Sequence, residues 1–502
     1  GIGTHLVIDE GLVGPGDTFV STDSHANLLG AVGAFGQGMG DQDIACAFAR
    51  GKVWFKVPAS MKVRVTGVPS PRATPKDLGL ALLRRFGADG MLGYAVEVEG
   101  PAIEALDLAG RITVASLATE MGAIILFFPP SAAVQHALPG NRPLPWSDPG
   151  AVFARTETVD VAGLEPMIAR PGHPEDALPV AEVKGTKIDS VFIGSCTNGR
   201  HEDLVAAAAV LKGRKVAPGV VLKVVPATDE VWKRCLADGT VKVFKDAGAL
   251  FGNAGCAGCA AGQLGQNGPG EVTVSTGNRN FAGKQGQGQV YLASPATAAA
   301  SAVAGAITTA TEIPASPALF TAGGGKTADK AKTPVPEKAA SPLSARGRAW
   351  VVDQDNVDTD MIFHNRHLAI TDQAEMGRHA FGNLKGHEAF AREARPGDIV
   401  ICGRNFGCGS SRQQAVDCFK SLKISALVAE SFGAIYERNA INAAFPVLEG
   451  KLRTDGVKTG DDLEIDFLSG RVVNHTRKTE HKVSGFSAVQ KEIYERGGLL
   501  AG

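Results

Sequence analysis

The feature that most constrains this chain is a repeated handover from a short β-branched apolar run, through glycine, to an amphipathic stretch. "KIDSVFIGS" (187–195) precedes "HEDLVAAAAVLKG" (201–213), and "GVVLKVVPA" (219–227) precedes "TDEVWKRCLADG" (228–239). Apolar β-rich runs followed by helical periodicity predict repeated βα units and mainly parallel sheets from about Thr18 to Pro295. Glycine concentrates where strands hand over to helices, because tight turns there need its conformational freedom. At 502 residues the chain exceeds one hydrophobic core, so several domains are expected.

The composition breaks between Ile313 and Arg346, which is rich in Ala, Pro, Lys, Thr and Ser and reads as a solvated linker. After it, "RAWVVDQDNVDTDMI" and "GDIVICGRNFGCGSSRQQAVDCFKSLKISALVAESF" restart the strand, turn, helix, strand pattern. The predicted division is residues 1–312, a linker over 313–346, and a smaller α/β unit over 347–502.

A formal charge of -1 leaves no basic excess for nucleic acid, so any anionic ligand must be met by local cations. No apolar run reaches the roughly 20 residues that cross a bilayer, and "GIGTHLVIDEG" carries no secretion signal. A soluble, cytoplasmic protein without membrane or nucleic-acid partners is therefore expected. Residues 1–8 read like the middle of a strand, which predicts a truncated or processed chain.

Eight cysteines are too few for a disulfide framework. Cys256 and Cys259 are a Cys-x-x-Cys pair, and Cys196 lies in "GSCTNGRHED" directly after an apolar strand. Three thiolates would leave one corner of a metal centre open to substrate, as a Lewis-acid catalyst requires. A redox pair at Cys256 and Cys259, with Cys196 a small buried residue, fits the same spacing.

Three further segments carry chemistry. "STDSHANLLG" sets Asp23, Ser24 and His25 at a strand end, suited to an oriented acid or base or to a surface turn. "NFGCGSSRQQ" opens a helix with Ser410, Ser411 and Arg412, where an anion or an ordinary serine cap fits. "STGNRNFAGK" offers Asn278, Arg279 and Lys284 to carboxylates. "GGGKT" (323–327) lacks the first P-loop glycine, and "NHT" at 474 is a sequon without a secretion signal.

Together, "STDSH", "IGSCTNGRHEDL", "GCAGC", "NRNFAGK" and "GCGSSRQQA" occur in the order of the aconitase superfamily of 4Fe-4S hydro-lyases, which the chain resembles. The closer likeness is to fused large and small subunits of the 3-isopropylmalate dehydratase or homoaconitase type, lacking the family's N-terminal segment. The resemblance implies three-layer α/β/α domains with mainly parallel sheets and a smaller swivel domain. It implies that Cys196, Cys256 and Cys259 hold a 4Fe-4S cluster whose fourth iron binds a small hydroxy-acid substrate. Ser410 is then the base, with His5, Asp23, His25 and Glu120 the other catalytic residues. Ser24, Asn278, Arg279, Lys284, Arg366, Ser411 and Arg412 become substrate contacts.

Lys284 stands where the family usually has Arg, and Ser116 where it has Asn. The segment "DTDMIFHNRHLAI" (358–370) is expected to meet the substrate's variable group, and its apolar end favours an isopropyl group over a third carboxylate. 3-Isopropylmalate isomerisation, in leucine biosynthesis, is the expected reaction, with a tricarboxylate as the alternative. A fused swivel domain would make a separate small subunit unnecessary. An inactive remnant or a cluster-sensing RNA regulator is the competing class, and the near-neutral charge speaks against RNA.

Overall fold

The structure, a computed structural model, describes residues 1–138, 142–259, 262–316, 343–368, 370 and 372–500. Most of the expected linker and all of "GGGKT" lie outside the described residues. The chain forms two compact units. The first takes Gly1–Phe19, His25–Gln37 and the chain from Pro58 to the linker; the second takes Val20–Ser24, Gly38–Val57 and the chain after the linker.

In the first unit a four-stranded sheet runs in the order Ile125–Phe127, Tyr94–Glu99, Ala59–Thr66, Arg155–Asp160, all parallel. "ASMKVRVT" alternates, so Met61, Val63 and Val65 share one buried core with Leu78, Leu82 and Leu83 of helix Pro75–Phe86 and with Ile112 and Val114 of helix Leu108–Ala115. Each such side chain contributes roughly 1.5–3 kcal/mol by leaving water. Thr74 and Asp77 form a capping box that fixes where helix Pro75–Phe86 starts.

The unit's second sheet has seven strands, in the order Leu250–Phe251, Val221–Val224, Ser190–Ile193, Val272–Ser275, Gln289–Ala293, Met167–Ala169, Ala177–Pro179. The first five are parallel, and the last two are antiparallel to their neighbours. Ser190–Ile193 is buried along its whole length, as expected of a central parallel strand. Because it pairs in parallel with Val272–Ser275, the turns that follow the two strands emerge side by side. α/β sheets place ligands at such strand ends.

The second unit's sheet runs Val447–Glu449, Ala426–Ala429, Ile399–Cys402, Ser344–Val351 in parallel, then Asp462–Asp466, Arg471–Asn474 and Thr479–Lys482 in antiparallel. The last three strands are joined by turns too short for a crossover helix, so they pair antiparallel with one another. Asn474 of the "NHT" sequon is fully buried and its amide donates to Asp461.

One local expectation is corrected. Residues 1–8 do not continue a strand; Gly3–Asp9 is an α-helix. Thr4 and Ile8, one turn apart, are buried with His5, and the Ile2 N–H donates to the Ala227 carbonyl. Tertiary partners on one face decide the structure of an apolar run too short to declare its own period.

Candidate functional site

The site in the first unit is built on the two neighbouring strand ends. After Ser190–Ile193 the chain turns through Gly194 into the short helix Ser195–Asn198, which carries Cys196. Ser195 has φ +76, and Ala257, between the other two cysteines, has φ +40. Non-glycine residues in the left-handed region cost energy that surrounding contacts must offset, and such residues cluster at functional sites. The Ser195 hydroxyl accepts from the Thr197 N–H and donates to the Thr276 carbonyl, so the strained turn is tied to the adjacent strand end.

Cys196 lies close enough to Cys256, and Cys256 to Cys259, for each thiol to shift its neighbour's pKa. Cys196 is therefore no isolated filler. The neighbouring Cys256 pulls its pKa well down against the effect of burial, and His25 adds to this. Cys259 is lowered by Cys256 first, with Lys284 contributing, while Cys256 is pushed up by its two thiol neighbours and burial. The Asn278 amide donates to Cys196 Sγ at 3.2 Å. Among the described residues no three His, Cys, Asp or Glu side chains surround a single metal ion. A cubane makes no such demand, since each thiolate takes its own iron. The donor set of three converging thiols fits a cluster.

Around the thiols lies a buried charged network. His25 Nε2 donates to Glu120 Oε1 at 2.8 Å, and Arg279 Nε lies 3.0 Å from the same oxygen. Burial alone would depress His25, but Cys196 and Glu120 outweigh it and raise its pKa to about 10. Glu120 is held below the usual carboxylate range because Arg279 and His25 overcome its burial. His5 behaves oppositely: burial, then Arg200, lowers it to about 4. It is the neutral tautomer that donates from Nε2 to the Cys196 carbonyl at 2.9 Å and accepts from Arg200 at Nδ1. Ser195, Cys259, Asn278, Arg279 and Lys284 line one small cleft. The Ser116 hydroxyl donates to the Thr113 carbonyl and lies 3.0 Å from Thr197 Oγ1.

Asp23, Ser24, Ser410, Ser411, Arg412 and Arg366 fall in the second unit. Gly38 packs so tightly against Asp23 and Ser24 that a Cβ there would meet the Asp23 carbonyl at 2.6 Å, and the Ser411 hydroxyl donates to the Met39 carbonyl. The buried Arg412 donates to Asp360 Oδ2 at 2.6 Å and to the Phe363 carbonyl, which aims the guanidinium. Ser410 sits just before helix Gln414–Ser421, and its carbonyl accepts from Thr359 Oγ1. Gly409 makes this turn possible, with φ +95 and a hypothetical Cβ 1.8 Å from Asp358 Oδ2. Arg366 is exposed, and its backbone N–H donates to His364 Nδ1; Ala369 lies outside the described residues. The sequence alone did not single out Lys76, Arg200 or Asp360. Asp360 had a signal, since it sits in "DTDMI"; a buried lysine or arginine has none.

The family model for the aconitase family (aconitate hydratase) matches residues 1–305, and that for the aconitase C-terminal domain matches residues 341–449. The 3-isopropylmalate dehydratase large subunit of Nitratidesulfovibrio vulgaris is 47% identical over 309 residues, 60% of this chain and 74% of that protein. The homoaconitase large subunit of Thermus thermophilus is 45% identical over 318 residues, 62% and 75% respectively. A solved 3-isopropylmalate dehydratase (leuD) structure from Methanocaldococcus jannaschii is 35% identical, covering 32% of this chain and 92% of that one, at a TM-score of 0.30. Among the described residues no helix is long and apolar enough to cross a membrane. With both family models matched in order and the thiols gathered as described, the chain belongs to the aconitase family, as a hydro-lyase of its large-subunit type.

Proposed function

We propose that this hydro-lyase isomerises a small hydroxy acid by dehydration and rehydration, interconverting 3-isopropylmalate and 2-isopropylmalate, with a 4Fe-4S cluster on Cys196, Cys256 and Cys259. One observation carries the reading: three thiols from two separate turns meet beside Asn278, Arg279 and the Glu120–His25 pair. When bound, the cluster supplies a Lewis-acidic iron with an open position.

The chain's own residues do the rest. Arg279, fixed by Glu120, presents a guanidinium to a substrate carboxylate, and Lys284 adds a second cation without bidentate geometry. His25, held through Nε2 against the Glu120 carboxylate, can deliver a proton to a departing hydroxyl. His5, neutral, holds the Cys196 backbone. Under the same reading Ser410 takes the proton next to a carboxylate, with Asp23, Ser24, Ser411 and Arg412 as polar contacts. We assign residues 347–502 to the fused small domain, which removes the need for a separate small subunit.

Anaerobic reconstitution should give stoichiometric iron and sulfide with a broad violet absorption, and an unsaturated acid should form from 3-isopropylmalate. A protein that takes up no cluster sinks the cofactor assignment. Faster turnover of homocitrate or citrate, assayed side by side, sinks the substrate assignment.

A further inference from the structure

Lys76 is fully buried in the first turn of helix Pro75–Phe86. An ammonium is costly to remove from water and is retained where acceptors meet it. Its Nζ donates to two successive backbone carbonyls, Gly277 O at 2.5 Å and Thr276 O at 3.3 Å. These residues begin the turn that carries Asn278 and Arg279. Asn278 donates to Cys196 Sγ, and Arg279 pairs with Glu120.

The same turn is bound to the Cys196 turn from its other side. Thr276 Oγ1 accepts from the Gly194 N–H and donates to the Gly194 carbonyl, while the Thr276 carbonyl receives the Ser195 hydroxyl as well as Lys76. Two carbonyls pointing the same way from adjacent residues would otherwise repel each other. The compact, multiply donating amino group gathers them, whereas a methionine of similar length would fill the space without donating.

We infer that Lys76 is a positioning residue: it fixes the 276–279 turn beneath the site, so that the Asn278 amide reaches Cys196 and the Arg279 guanidinium reaches Glu120. It touches none of the thiols itself in this role. What the turn presents to a substrate rests on the functional reading above, but the positioning does not.

The test uses the full chain with Lys76→Met and Lys76→Gln, first without cluster, by hydrogen exchange read peptide by peptide. Amides of residues 276–284 should exchange roughly tenfold faster in both variants, with strand 190–193 unchanged. After reconstitution, iron content should match the parent while kcat falls about 10–100-fold, as for other residues that orient a ligand. Protection at 276–284 within twofold of the parent overturns the inference whatever happens to kcat. So does a loss of protection spread over the whole unit in both variants, because Lys76 would then serve general stability. If the parent itself loads no cluster, the functional reading fails while the exchange comparison still decides the role of Lys76.

Discussion

Cys196 and Cys235 are both buried thiols, and their neighbours set them apart. Cys196 is drawn down by the neighbouring Cys256 and by His25, whereas burial pushes Cys235, in helix Asp229–Ala237, up to about 12. A thiolate ligates metal and a thiol does not. Cys196→Ser should therefore cut iron retained after reconstitution severalfold and reduce turnover by more than roughly 100-fold, while Cys235→Ser leaves both within about twofold. Equal iron in the two variants would remove Cys196 from the ligand set. Cys256 and Cys259 stood out in the sequence because their spacing is short, and Cys196 because it follows an apolar strand directly. Lys76 and Arg200 did not, because a lysine or arginine is ordinarily solvated, and only segments distant in sequence bury these two.

At the scale of elements, the strand, glycine turn, helix pattern carried most of the site into view, since a turn at a strand's C-terminal end has few places to go. It failed where a run was too short for its period to speak, as at Gly3–Asp9. The turn before helix Gln414–Ser421 gives a sharp prediction. Gly409→Ala would place a Cβ at φ +95 within 1.8 Å of Asp358 Oδ2. The second unit should lose about 2 kcal/mol or more in urea denaturation, and an unchanged midpoint would show that the turn relaxes freely. Helix Pro75–Phe86 gives a pH dependence. Burial raises Asp77 to about 6 despite its bonds from Met167 N–H and Thr74. The folded state thus holds that proton more tightly than the unfolded chain, so the stabilisation is complete below about pH 4 and is lost as pH rises through about 6. The difference is on the order of 3 kcal/mol. Asp77→Asn should flatten this decline, so melting temperatures compared from pH 4.5 to 7.5 should fall less in the variant than in the parent.

For the molecule as a whole, the composition break near 313–346 suggested that the C-terminal part would fold from its own residues. The contacts describe something more interleaved, because residues 38–57 belong to the second compact unit. Helix Asp41–Arg50 packs on helix Ala434–Asn442, and Arg438 donates to the buried Asp43 at 2.8 Å and to the Trp54 carbonyl while lying over the Trp54 ring. No sequence pattern announces a partner nearly 400 residues away. Deleting one side of a buried pair like Arg438–Asp43 costs about 3–5 kcal/mol, a large share of the 5–15 kcal/mol that holds a domain folded. Residues 343–502 produced alone should therefore melt at a clearly lower temperature than the same unit in the intact chain. Adding a synthetic peptide of residues 38–57 should raise that temperature saturably, and the same peptide with Asp43→Ala should do so much more weakly. If residues 343–502 melt identically with and without the peptide, the N-terminal segment adds nothing to the unit's stability and the C-terminal part is self-sufficient.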